Sequence, residues 1–148
     1  MSERIVIPNE ILLGEVTSML NEGRKVILLT RGNSMLPFIR GDRDSVELER
    51  LDTLAVGDIV LAHLADKRYV LHRVLGIEGD NITLMGDGNI IGTESCLRAD
   101  ICGTATKIIR PDGREKDCRS PKAMRWARLW RRLRPVRRYI LAIYRRII

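Results

Sequence analysis

Ile59-Val60-Leu61-Ala62-His63-Leu64, Ala65-Asp66-Lys67, Arg68 to Ile77 (RYVLHRVLGI), Gly79-Asp80-Asn81 and Ile82 to Met85 (ITLM) follow one another, and their reading decides the fold. The apolar runs are short and rich in Val, Ile and Leu, and residues of turn chemistry separate them. Runs of this kind form strands, and connections this tight join antiparallel neighbours. Three strands in a meander are therefore expected, with His72 in the middle one.

The same pattern extends outward in both directions. Upstream, Leu54 to Asp58 (LAVGD) turns the chain into Ile59, Ser45 to Leu48 alternates as a strand, Arg40 to Asp44 is a polar turn, and Lys25 to Leu29 (KVILL) is another short run. Downstream, Ile101 to Ile109 is a strand, Pro111-Asp112-Gly113 a turn, and Arg114 to Cys118 pairs back. Five to seven short strands with turns every eight to twelve residues predict a mainly β (α+β) domain, a curled antiparallel sheet or partly open barrel. Ahead of them Pro8-Asn9-Glu10 opens a helix over 8–22. Its apolar positions Ile11, Leu12, Val16, Met19 and Leu20 recur at three-to-four spacing until Asn21-Glu22-Gly23 stops it.

At 148 residues, 45% of them apolar, the chain can bury one substantial core, and with 4% aromatics that core must be aliphatic. Cys96, Cys102 and Cys118 have neither the even count of a disulfide framework nor metal-site spacing, and read as reduced thiols of a cytoplasmic protein. Met1 to Glu10 has no apolar core of a signal peptide, and no apolar stretch is long enough to span a bilayer. No metal cluster, phosphate-cradling loop or nucleotide fingerprint occurs, so no cofactor is expected.

The net charge of +7 hides a division. Residues 1–118 hold 15 Lys and Arg against all 19 Asp and Glu, a net −4, whereas residues 119–148 hold 11 Lys and Arg and no acid. That tail reads as an amphipathic helix opened by Pro121 and kinked at Pro135. Trp126, Leu129, Trp130, Leu133, Val136, Ile140, Ile143, Tyr144 and Ile147 recur at three-to-four spacing among arginines. Tryptophan beside an arginine face is what interfacial helices present to anionic lipid, so Trp126 and Trp130 are expected at a membrane surface from the cytoplasmic side. Packing on the protein's own sheet, or on nucleic-acid phosphates, are the competing uses of the same pattern.

Three motifs carry chemistry. Thr30-Arg31-Gly32-Asn33-Ser34-Met35-Leu36-Pro37 sets a serine on a tight loop, Leu71-His72-Arg73-Val74 supplies one imidazole, and Gly86-Asp87-Gly88-Asn89 supplies a carboxylate. A serine hydroxyl needs a base to take its proton and donors to hold an oxyanion, and a histidine base needs a partner to fix its tautomer. Each motif alone also has a bland use: a turn hydroxyl at Ser34, a half-exposed strand residue at His72, a turn cap at Asp87.

Taken together, over roughly residues 25 to 109, the order of these motifs resembles the signal peptidase type I and LexA-like repressor clan of serine peptidases. It is closest to the endoplasmic-reticulum and archaeal-type signal peptidases, which carry histidine where the bacterial enzymes carry lysine. The resemblance implies Ser34 as nucleophile, His72 as general base, Glu94 or alternatively Asp87 as the acid supporting it, and Gly32, Met35 and Pro37 along a substrate groove. Where many relatives have a hydroxyl two residues before the nucleophile this chain has Gly32, which leaves the oxyanion to backbone donors. The implied activity is endopeptidase cleavage of an extended peptide or precursor. The alternative is a non-catalytic or LexA-like regulatory relative that binds nucleic acid or a partner protein through its tail. Only one helix precedes Ser34, too little for a helix-turn-helix domain.

Overall fold

The structure is a computed structural model that describes residues 4–7 and 13–148. Nine strands occur among the described residues: β1 (Arg4–Ile7), β2 (Lys25–Leu29), β3 (Ser45–Glu49), β4 (Ile59–His63), β5 (Tyr69–Glu78), β6 (Asn81–Met85), β7 (Glu94–Leu97), β8 (Ile101–Ile109) and β9 (Glu115–Asp117). They form one open sheet in the order β1-β2-β3-β8-β4-β5-β6-β7, with β9 beside β8. All pairings are antiparallel except β1 with β2. The expected meander is β4, β5 and β6. The expected five to seven strands become nine, because β1 and β7 join the edges.

Both faces of the sheet's middle are covered. β4 is buried at four successive positions: Ile59 and Leu61 belong to one apolar cluster, Val60 and Ala62 to another. In a strand successive side chains point to opposite faces, so one strand divides two cores. The first cluster takes Val16 and Leu20 from helix α1 (Leu13–Asn21), with Val26, Leu28, Val46, Leu48 and Ala105 from the strands. The second takes Val74, Ile82, Leu84 and Cys96. The helix expected over 8–22 is described from Leu13 on; its proposed opening at Pro8 to Glu10, with Ile11 and Leu12, lies outside the described residues.

The tail is two helices. Ser120 caps α2 (Pro121–Arg132), its hydroxyl accepting from Ala123 N at 3.1 Å, and Pro121 occupies the first turn, where its missing N–H costs nothing. A single 3-10 turn at Arg134–Val136, containing Pro135, separates α2 from α3 (Arg137–Ile147). The break expected at Pro135 is therefore present. Among the described residues no helix is long and apolar enough to cross a membrane.

Candidate active site

Ser34 lies in the connection from β2 to β3, whose ends are fastened together. Thr30 is buried, and its amide and hydroxyl both donate to Asp44 O, at 3.0 and 2.7 Å; Asp42 N returns a bond to Thr30 O at 2.8 Å. The buried Asp44 carboxylate accepts from Arg40 N (2.8 Å), Arg43 Nε (2.9 Å) and Arg110 (2.6 Å). Burial pushes this carboxyl up, but the bonds from Arg43 and the Arg40 amide and the charge of Arg110 outweigh it and hold it below the usual range. Inside the loop the two arms touch backbone to backbone: a Cβ on Gly41 would fall 1.9 Å from Gly32 O. Gly32 itself has φ +73°, a conformation glycine takes without steric cost.

Beyond Asn33 the chain makes one helical turn, with Phe38 N and Ile39 N donating to Met35 O at 3.1 and 3.0 Å. The amides of Ser34 and Met35 donate to nothing among the described residues, which leaves two adjacent N–H groups for an external acceptor.

The Gly86-Asp87-Gly88-Asn89 turn holds this loop. Gly88 N donates to Ser34 O at 2.8 Å, and Asn89 N closes the turn on Gly86 O at 3.0 Å. Neither glycine has room for a side chain: a Cβ would lie 2.2 Å from Asn33 O at Gly88 and 2.4 Å from Ser34 O at Gly86. Gly88→Ala should therefore cost about 1–3 kcal/mol in denaturant unfolding through overpacking. Gly14→Ala in α1, which meets nothing closer than 3.9 Å, should be neutral or stabilising in the same measurement.

His72 is buried on β5, opposite Val60 of β4. Its Nδ1 lies 2.7 Å from Leu71 O. A carbonyl can only accept, so Nδ1 carries the proton and Nε2 is left with a free lone pair, the tautomer a general base requires. Burial pushes the imidazole below its ordinary pKa, opposed by the Leu71 carbonyl and the charges of Glu94 and Asp87.

Ser34, His72, Gly32, Met35, Asn89 and Glu94 line one cavity of about 380 Å³. Ser34 Oγ makes no hydrogen bond to His72 among the described residues; in unliganded enzymes such bonds are often open and tighten around substrate. The second histidine, His63, and the lysines Lys25 and Lys67 do not line the cavity, and His63 stacks on Tyr69 with ring centroids 4.2 Å apart.

Three expectations need correction. Glu94 gives its carboxylate to Arg68 at 3.0 Å and makes no hydrogen bond to His72; the Leu71 carbonyl holds the tautomer. Asp87 makes no hydrogen bond to His72, and its role is larger than that of a turn cap. Its buried carboxylate pairs with the buried Arg73 guanidinium (Nε to Oδ1 2.9 Å, second nitrogen to Oδ2 2.6 Å), and Arg73 also donates to Gly57 O at 2.8 Å and lies over the Phe38 ring. Pro37 does not line the cavity of Ser34; it lines another, of about 320 Å³, with Phe38, Arg73 and Trp126.

The tail corrects a fourth. Trp130 is 5% exposed, and its indole N–H donates to Asp87 O at 2.9 Å, so it is unavailable to lipid. With Leu36 and Leu141 it forms a third apolar cluster. Arg137, 2% exposed, lies over the Trp130 ring and donates to Asn89 O (3.2 Å) and Trp130 O (3.1 Å). Both helices thus grip the turn that supports Ser34. Arg73 had a readable signal, since a cation on a buried strand next to His72 needs a carboxylate partner. Arg137 had none among so many arginines.

The three cysteines are free and buried, and burial raises their thiols, Cys96 to about 11 and Cys118 to about 12, which makes them inert. Among the described residues no group of three or more His, Cys, Asp or Glu comes together as metal ligands do. No protein-family model matches the sequence, and no curated protein matches it.

Proposed function

We propose that the protein is a serine endopeptidase of the signal peptidase type, with Ser34 as nucleophile and His72 as general base. The observation that carries this is the convergence of Ser34 and His72 on one cavity, with His72 in the tautomer whose Nε2 accepts a proton. Ser34 Oγ attacks the scissile carbonyl carbon while His72 Nε2 takes its proton. The oxyanion is held by the free amides of Ser34 and Met35. His72 then gives the proton to the leaving amine as the C–N bond breaks, and water hydrolyses the acyl-enzyme with His72 again as base.

An extended substrate fits the strand bearing the base. β5 pairs with β4 over residues 69–73 but with β6 only from Arg73 onward, so residues 69–72 have one unpaired edge among the described residues. Peptides add to such edges through main-chain hydrogen bonds.

A phosphonylating serine probe such as a fluorophosphonate, from which the serine oxygen displaces fluoride, tests the reading. It should modify Ser34, at a rate that rises with pH as His72 loses its proton. Because burial lowers the imidazole, the midpoint should fall below the ordinary value of about 6.5. Glu94→Gln removes a negative charge that favours imidazolium, so the midpoint should move lower still, with little loss of stability because Glu94 pairs at the surface. An unmodified Ser34 would overturn the proposal in favour of the non-catalytic relative, and a midpoint well above 7 would displace His72 as base.

A further inference from the structure

The inner faces of α2 and α3 are accounted for by Ala127, Trp130, Arg137 and Leu141, all buried on the body. Their remaining apolar residues are not. On α2, Trp126 and Leu129 are 52% and 44% exposed at i and i+3; on α3, Tyr139, Ile143 and Ile147 are 64%, 62% and 76% exposed at i, i+4 and i+8. At 3.6 residues per turn each set forms a stripe on one side of its helix. Arg125, Arg128, Arg131 and Arg132 on α2, and Arg138, Arg145 and Arg146 on α3, are exposed beside them. Of the 11 basic residues of the tail, Arg119 alone forms a salt bridge among the described residues, with Asp58.

We infer that this outer face of the helical pair docks on an anionic lipid surface, seating the two stripes at the headgroup boundary and the arginines among lipid phosphates. The occupant follows from two properties that must be met together. A partner has to meet the exposed cations of the two helices and also cover the protruding isoleucines. Nucleic acid meets the first and leaves Ile143 and Ile147 in water, and a second copy of the face meets the second while opposing like charge. An anionic bilayer meets both, as interfacial helices with an apolar stripe and a basic face do. The inference is independent of the peptidase reading. It differs from the sequence expectation in its residues: Trp130 belongs to the inner face and Tyr139, Ile143 and Ile147 to the outer one.

The full chain should sediment with phosphatidylglycerol-containing vesicles and not with pure phosphatidylcholine. Binding should weaken as salt is raised from about 0.05 to 0.3 M, since surface charges are screened within a shorter distance. Tryptophan emission should shift to the blue through Trp126, Trp130 being already buried. Ile143→Glu with Ile147→Glu should weaken vesicle binding at least about tenfold, because two charges would enter the headgroup boundary. Leu129→Glu, on the other helix, should act the same way and stands in should the α3 variant melt early. The inference is overturned if the chain ignores anionic vesicles. It is also overturned if it binds them equally well with the apolar stripes charged, or if duplex DNA removes it from vesicles and binds the charged-stripe variants as tightly as the unmodified chain.

Discussion

Ser34→Ala and His72→Ala should each reduce peptide cleavage by a factor on the order of 10⁴ or more, and the double variant should be no slower than the worse single one. The two side chains act as one unit: the hydroxyl is useless without the proton acceptor, and the acceptor has nothing to activate without the hydroxyl. Losses would multiply only if they worked separately. Ser34 is half-buried at the cavity wall and its hydroxyl makes no hydrogen bond among the described residues, so Ser34→Ala, which keeps the backbone bond from Gly88 N, should leave the melting temperature nearly unchanged. That separates lost chemistry from lost structure. His72→Ala empties a buried site, and its stability has to be measured alongside turnover. A Ser34→Ala protein that cleaves at the parent rate removes the proposed nucleophile.

The second large effect is on stability. Asp87→Ala should destabilise the fold by about 3–5 kcal/mol, because it leaves the Arg73 guanidinium buried with Gly57 O as its one remaining hydrogen-bond acceptor. For a chain of this size that corresponds to a fall in melting temperature on the order of 10 °C. Asp87→Asn should cost less, since the amide oxygen still accepts one guanidinium bond. Neither change removes the Trp130 contact, which is made to the backbone oxygen. Thermal unfolding of both variants beside Glu94→Gln checks the ranking. A melting temperature for Asp87→Ala equal to that of Glu94→Gln would mean that the buried pair is dispensable.

How much of this was legible in the sequence depended on whether the deciding contact was local. β2 and β8 fall on the expected residues, because runs made mostly of apolar or β-branched residues between turn residues announce themselves. β7 did not, since Glu94-Ser95-Cys96-Leu97 buries only Cys96 and owes its strand to pairing with β6. β1 pairs in parallel with β2, and a parallel pairing leaves no hairpin signature between its strands. At the site, residue types and order pointed to Ser34 and His72. A carboxylate is the usual orienter of a histidine base, and a neighbouring backbone carbonyl carries no mark in a sequence. Trp130 packs inward rather than toward lipid for a reason equally hidden from the sequence. Amphipathic periodicity says that a helix has an apolar face, and it is silent on whether protein or lipid covers it. Here the helices have two such faces, one of them occupied by Leu36 and the turn of Asp87.

That third cluster also imposes an order on biosynthesis. Ninety-four positions separate Leu36 from Trp130. At the usual pace of about 5–20 residues per second, a nascent chain carries Leu36 for roughly 5–20 s before its cover is even made. Once Gly86 to Asn89 has been made, the serine loop has its glycine cradle, but the cradle still lacks the indole and guanidinium that fasten it from behind. The serine loop is therefore among the last parts of the molecule to be locked. A growing chain passes through a stage in which its sheet is complete while Ser34 is still loosely held.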